Sequence, residues 1–245
     1  GEVDLYVGLT DKALVSGSLT ASNYGNYSTG TAQGLVNTNI NNATGYGDLI
    51  SLSGMHTQGL WFGKVGWNIP VGVSGLKLGL DYTSMNYKTV GSSAGNDGRS
   101  DGYGINLTYP ILRSTTTNLN TSLSYDTKSY TNNHTADGQT SSLLVSDYGV
   151  KDLTLTLSGN HYDAIGLGGV TSFSVGVTEG HWSSNTWNDS NSPNNYGQYT
   201  NPNFRKLNFS INRNQQILED ETILSATVAG QFSSANLDPV EKFYL

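Results

Sequence analysis

Four histidines, His56, His134, His161 and His181, are the side chains best suited by type to hold a metal. They are scattered, and no two stand at a spacing that would set two ligands on one face beside a carboxylate. The chain has zero cysteines, which removes thiolate metal sites and a disulfide framework. Its densest charge run, Glu219-Asp220-Glu221, could supply the paired carboxylates of a glycosidase with Asp163 or Glu179 as a partner. Such a run in a compact link is explained by solvation alone. Gly166, Gly168 and Gly169 lack a following helix, so a phosphate cradle fails, and no Gly-x-Ser-x-Gly motif with its expected helix is present. Asn-x-Ser/Thr sequons at Asn106, Asn120 and Asn208 are expected by chance in so polar a chain. Tyr, Trp and Asn in the stretch 183–199 suit sugar or protein contact, and surface exposure explains them equally well. The expectation is no catalytic, cofactor-binding or metal residue, no cofactor and no enzyme activity.

Composition points to strands. Charged residues make up 13% of the 245, aromatics 10% with Tyr foremost, and there are 30 Gly. Thr, Tyr and Val suit a pleated surface, while Gly and Asn suit turns. The net charge of -7, with 12 basic residues spread thinly, lacks the footprint of a nucleic-acid binder. No apolar run exceeds a few residues, so no helix here could span a bilayer, and a closed barrel is the remaining way to cross one.

Period-two alternation runs through the whole chain and places one set of side chains on each face of a strand. Leu153, Leu155 and Leu157 alternate with Asp152, Thr154, Thr156 and Ser158. Ile105, Leu107 and Tyr109 alternate with Gly104, Asn106 and Thr108, and Leu207, Phe209 and Ile211 with Asn208, Ser210 and Asn212. Strands are expected at 3–9, 12–22, 31–41, 48–57, 60–69, 76–87, 101–110, 118–130, 142–160, 170–182, 204–214 and 222–235. Most match the nine to eleven residues that a tilted strand needs to cross lipid. Compact links at 70–75, 164–169 and 215–221 alternate with long polar loops at 89–100, 131–141 and 183–203. Short turns at one end and long loops at the other characterise outer-membrane barrels. Trp61, Phe62, Trp67, Tyr87, Tyr109, Tyr130, Tyr162 and Trp182 lie near strand ends, where aromatic girdles would stand. The polar face, rich in Thr, Ser, Asn and Gly, is expected to line a lumen without strong charge.

Four stretches, in order, carry a resemblance: Ser22 to Gly30 (SNYGNYSTG), Gly45 to Asp48 (GYGD), Thr108 to Ser114 (TYPILRS) and Ala235 to Leu245 (ANLDPVEKFYL). With them the chain resembles the two-partner secretion transporters, the TpsB-type haemolysin secretion and activation proteins. The resemblance implies an all-β antiparallel meander of long strands forming a partial transmembrane β-barrel, about eleven of sixteen strands. It implies that residues 1–10 end a periplasmic POTRA-type domain and that residues 11–245 are the N-terminal part of the barrel. The family's pore-inserted loop would start just after Leu245, so both ends are expected to continue into a longer protein. A partial barrel leaves two edges unpaired and is expected to appear as an open, curved sheet. The implied setting is the bacterial outer membrane, with a secreted exoprotein as substrate, lipid around the strands, no nucleic acid and a monomeric complete barrel. A passive porin barrel and a soluble all-β adhesin or carbohydrate-binding sandwich are the alternatives. The sandwich predicts an apolar face packed on a second sheet.

Overall fold

A computed structural model describes residues 13–136, 138–187, 202–219 and 222–243. The strand expected at 3–9 lies outside these residues, as do Asp220, Glu221 and most of the aromatic loop at 183–199.

Among the described residues eleven strands follow in chain order: β1 (Val15–Ser22), β2 (Gln33–Asn41), β3 (Leu49–Thr57), β4 (Leu60–Val71), β5 (Leu76–Lys88) and β6 (Asn96–Arg113). They continue with β7 (Thr117–His134), β8 (Leu143–Asp163), β9 (Gly169–Trp187), β10 (Asn203–Gln216) and β11 (Ile223–Ser233). All belong to one sheet in which, among the described residues, every strand pairs only with its neighbours in sequence and β1 and β11 form the edges. Every pairing is antiparallel.

The strands outrun their expected lengths at the loop end. Asn96 to Ser100, Thr131 to His134 and Ser183 to Trp187 are strand, so the loops there are shorter than the polar composition suggests. Register accounts for this: Ser100 pairs with Tyr130 and Asn96 with His134, and the ladder satisfies backbone groups that a loop would leave to water. The 21 residues of β8 extend about 70 Å, roughly twice the need of a tilted crossing, so one end projects past any bilayer. At the other end the links are tight. Gly72 (φ 66°) and Gly75 (φ 87°) turn β4 into β5 with backbone angles that side-chained residues resist.

Register converts the alternation into two continuous faces. One carries the unbroken row Leu78, Leu107, Leu123, Leu155, Val177, Leu207 and Phe232 across β5 to β11. These side chains pack on no second layer; Leu155 is 57% exposed and Val177 50%. That arrangement contradicts the sandwich and fits a lipid-facing surface. On β10 the apolar stretch is bracketed by Arg205 and Arg213. Their spacing is about 27 Å along the strand and about 20 Å once tilted, close to the height of an outer-membrane apolar band. The opposite face carries Asn106, Ser122, Thr156, Ser174 and Ser210, and the sequon asparagines Asn106, Asn120 and Asn208 lie there, inside strands.

Candidate functional site

The described core is small and sits on the polar face near the loop end. Tyr148 and Val150 of β8, Trp182 of β9 and Phe204 of β10 cluster there with Leu237, which comes from beyond β11. Side chains two apart share a face, so Tyr148 and Val150 lead down β8 to Asp152 and Thr154. Gly180 lies beneath Phe204, where any Cβ would overlap the ring. Tyr130 stacks on Tyr148 with centroids 4.9 Å apart, and Tyr148 meets Trp182 at 5.8 Å.

The segment after β11 covers this cluster. Asp238 accepts a hydrogen bond from Val240 N at 3.0 Å, and Pro239 starts a single 3-10 turn, Pro239–Glu241. This capped turn reverses the chain onto the sheet. It delivers Glu241, 3% exposed, between two lysines of the polar face. Lys128 of β7 stands 3.1 Å from Oε1, and Lys206 of β10 donates to Oε2. Lys128 also reaches Asp152 of β8 at 3.3 Å. Gln231 of β11 closes the arrangement, donating to the Glu241 carbonyl at 3.0 Å and accepting from Phe243 N at 3.1 Å. The sequence Asp152, Lys128, Glu241, Lys206 thus alternates in charge and ties three strands to one segment.

Burial disfavours the Glu241 carboxylate, but hydrogen bonding and attraction from Lys206 and Lys128 prevail and hold its pKa below the usual range. Asp238 goes the other way. Burial raises its pKa, the hydrogen bond from Val240 N–H opposes that rise, and the Glu241 charge adds to it.

Below this network the Asp81 and Asp126 carboxylates both lean over Gly104, leaving no room for a Cβ. Further down, Thr154 and Thr178 share a hydrogen bond of 2.8 Å, and Gln231 donates to Asn208 at 2.9 Å.

The polar face therefore carries charge, densest in the loop-end network but also at Asp81, Asp126, Lys64 and Lys77, among hydroxyl and amide side chains, which corrects the expectation of a lining without strong charge. Parity carries the missed signal: Asp126, Lys128, Asp152 and Lys206 all occupy polar-face positions. A fold-back onto the sheet also begins directly after β11, upstream of Leu245. Of the candidate girdle aromatics, Trp61, Trp67 and Tyr109 face outward with the apolar rows. Phe62, Tyr87, Tyr130, Tyr162 and Trp182 face the polar side, where Tyr87 donates to Asn132 at 2.9 Å. The histidines stay apart. His134 meets Asn96 at 3.0 Å, His161 meets Thr117 at 2.8 Å and His181 meets Asn203 at 2.8 Å. His56 faces outward opposite Trp61. Among the described residues no three His, Asp or Glu side chains group as metal ligands.

A family profile described as haemolysin secretion/activation protein ShlB/FhaC/HecB matches residues 1–245. The chain belongs to this family. Heme/hemopexin transporter protein HuxB of Haemophilus influenzae strain 86-028NP is 23% identical over 249 residues, a match that takes in 100% of this chain and 42% of that protein. HuxB of strain ATCC 51907 / DSM 11121 / KW20 / Rd is 24% identical over 254 residues with the same coverage. The chain thus spans less than half the length of these relatives. Among solved structures, CdiB from Escherichia coli is similar with a TM-score of 0.76 at 19% identity, over 95% of this chain and 43% of that one. CdiB from Acinetobacter baumannii gives 0.69 at 17% identity, over 96% of this chain and 41% of that one. These likenesses establish the family's all-β fold.

Proposed function

We propose that the chain carries the N-terminal part of the barrel of an outer-membrane translocator that secretes a large partner exoprotein of haemolysin or adhesin type. Residues 1–10 would close a periplasmic POTRA-type domain and residues 11–245 would supply the first barrel strands. The complete barrel would be monomeric and surrounded by outer-membrane lipid.

Family membership supports the activity, and one structural observation carries the reading: the chain's own segment Leu237–Glu241 is pinned to the face that the barrel would enclose. A segment folded onto that face narrows the lumen at rest, which suits a translocator that opens only for its cargo. The rest of that face suits cargo. Thr, Ser and Asn offer hydrogen bonds to an extended polypeptide without apolar patches that would retain it.

The test is to place Phe or Trp at Thr154, Thr156, Asn120 and Ser122 in the full-length protein. Secretion of the partner should fall sharply while the barrel still assembles, because the changes leave the outward leucines untouched. Undiminished secretion through the narrowed lumen would refute the assignment of this face to cargo passage.

A further inference from the structure

Three basic side chains stand together on the outward face, just above the apolar rows at the loop end. Lys151 of β8 is directly opposite His181 of β9, and His181 is directly opposite Asn203 of β10. Arg205 lies two residues further along β10, opposite Glu179. All three basic residues are exposed. Lys151 makes no salt bridge among the described residues. The His181 ring is fixed through Nδ1 to Asn203 Oδ1 at 2.8 Å, which leaves Nε2 as its remaining polar atom. Arg205 touches Glu179 at 3.1 Å, but both side chains are about 70% exposed, so the pair is weak and leaves guanidinium donors unused. Basic side chains placed opposite each other repel when charged, and an anion between them relieves that cost.

The cluster lines an open depression of about 680 Å³ together with Tyr125, Leu153 and Glu179. Immediately below runs the row Leu123, Leu155, Val177 and Leu207. Because strands in a barrel are tilted, a row perpendicular to them climbs across the membrane. The row Trp67, Leu80, Ile105, Tyr125, Leu153, Glu179, Arg205 accordingly starts apolar and ends charged. The basic residues thus mark the upper border of the apolar band. The loop end is extracellular by the rule that periplasmic turns are short.

We propose that Lys151, His181 and Arg205 bind a phosphate group of an outer-leaflet phosphorylated glycolipid, lipopolysaccharide, whose acyl chains lie on the leucine row beneath. The inference rests on the outer-membrane reading above. Continuity between the basic border and the apolar face selects a lipid over free phosphate, since so exposed a basic site would hold a small anion only weakly.

The full-length protein, extracted from outer membranes in mild detergent, is assayed by mass spectrometry of the intact complex for retained lipopolysaccharide. One variant carries Lys151→Gln, His181→Gln and Arg205→Gln. A control carries Lys64→Gln and Lys77→Gln on the polar face. Loss of the charge-assisted contacts should lower retention about tenfold in the first variant and leave the control like the wild type. Equal retention in all three proteins overturns the site while leaving the outer-membrane reading intact. Displacement of the lipid by millimolar inorganic phosphate overturns the lipid as the occupant. Absence of the wild type from the outer-membrane fraction overturns the functional reading itself.

Discussion

Replacing Glu241 by Gln keeps the shape of the docked segment and removes its charge. Glu241 accepts charge-assisted bonds from Lys128 and Lys206, each worth about 1.5 to 3 kcal/mol, and a neutral amide would keep about 1 kcal/mol of each. Lys128 is the smaller loss, because its side chain is 35% exposed and it retains Asp152 at 3.3 Å. Lys206, only 11% exposed, keeps the Glu241 carbonyl at 3.5 Å. The net cost of docking is then about 2 kcal/mol, or about a thirtyfold larger undocked population. With Leu237→Cys as the single cysteine of the full-length protein, a maleimide reports that population, since the site is buried when docked. Labelling should accelerate about thirtyfold in the Gln variant, and Lys206→Met in the same background should recover part of the loss through coupling of the pair. The pH dependence supplies an independent check. Glu241 has a lowered pKa when docked, so its contribution is full above its ordinary value of 4.5 and fades as pH falls through the docked value. Asp238 has a raised pKa, so its contribution is full below 3.8 and fades as pH rises through the docked value. Measured against a permanently exposed cysteine at the same pH, which corrects for loss of thiolate, acid should therefore favour labelling more in the protein with Glu241 than in the Gln variant. A change within twofold at neutral pH, or the same acid response in both proteins, would refute the charge-pinned segment.

Other outcomes follow from the two faces. Leu155→Arg places a charge in the middle of the apolar row and should cost about 2 to 4 kcal/mol in lipid, seen as reduced barrel assembly in the outer membrane. Thr156→Arg, one residue along on the polar face, should assemble normally in the same assay. Gly180→Ala pushes a methyl into the buried Phe204 ring and should destabilise the docked region by about 1 to 3 kcal/mol, measured by labelling at position 237 and by thermal unfolding of the purified protein.

Parity made most of the fold legible. A strand assigned its true face from Leu153, Leu155 and Leu157 gives the face of its partners once register is known, and through the apolar band the pairings of β8 with β7 and β9 respect that division. Lengths were harder to read. Composition marks Asn132 and Asn133 as loop residues, yet Asn132 donates to Ser146 and Asn133 to Asp97, so cross-strand side-chain bonds carry the ladder into a stretch that intrinsic preference would leave irregular. The aromatics divided for a related reason: proximity to a strand end says nothing about parity, and Tyr130, Tyr162 and Trp182 occupy even positions on strands whose odd positions face outward.

The docked segment was partly visible and its destination was not. Asp238-Pro239 is a local start signal for a tight turn, and it formed where local chemistry places it. What the turn presents is decided by contacts across great sequence distance, since Glu241 meets Lys128 from 113 positions away. No periodicity links them. Charges on an enclosed face are nevertheless costly unless paired, so parity alone marks Asp152, Lys128 and Lys206 as side chains that must find partners. Glu241 supplies the partner that Lys128 and Lys206 share, and only the fold-back of the chain brings it there.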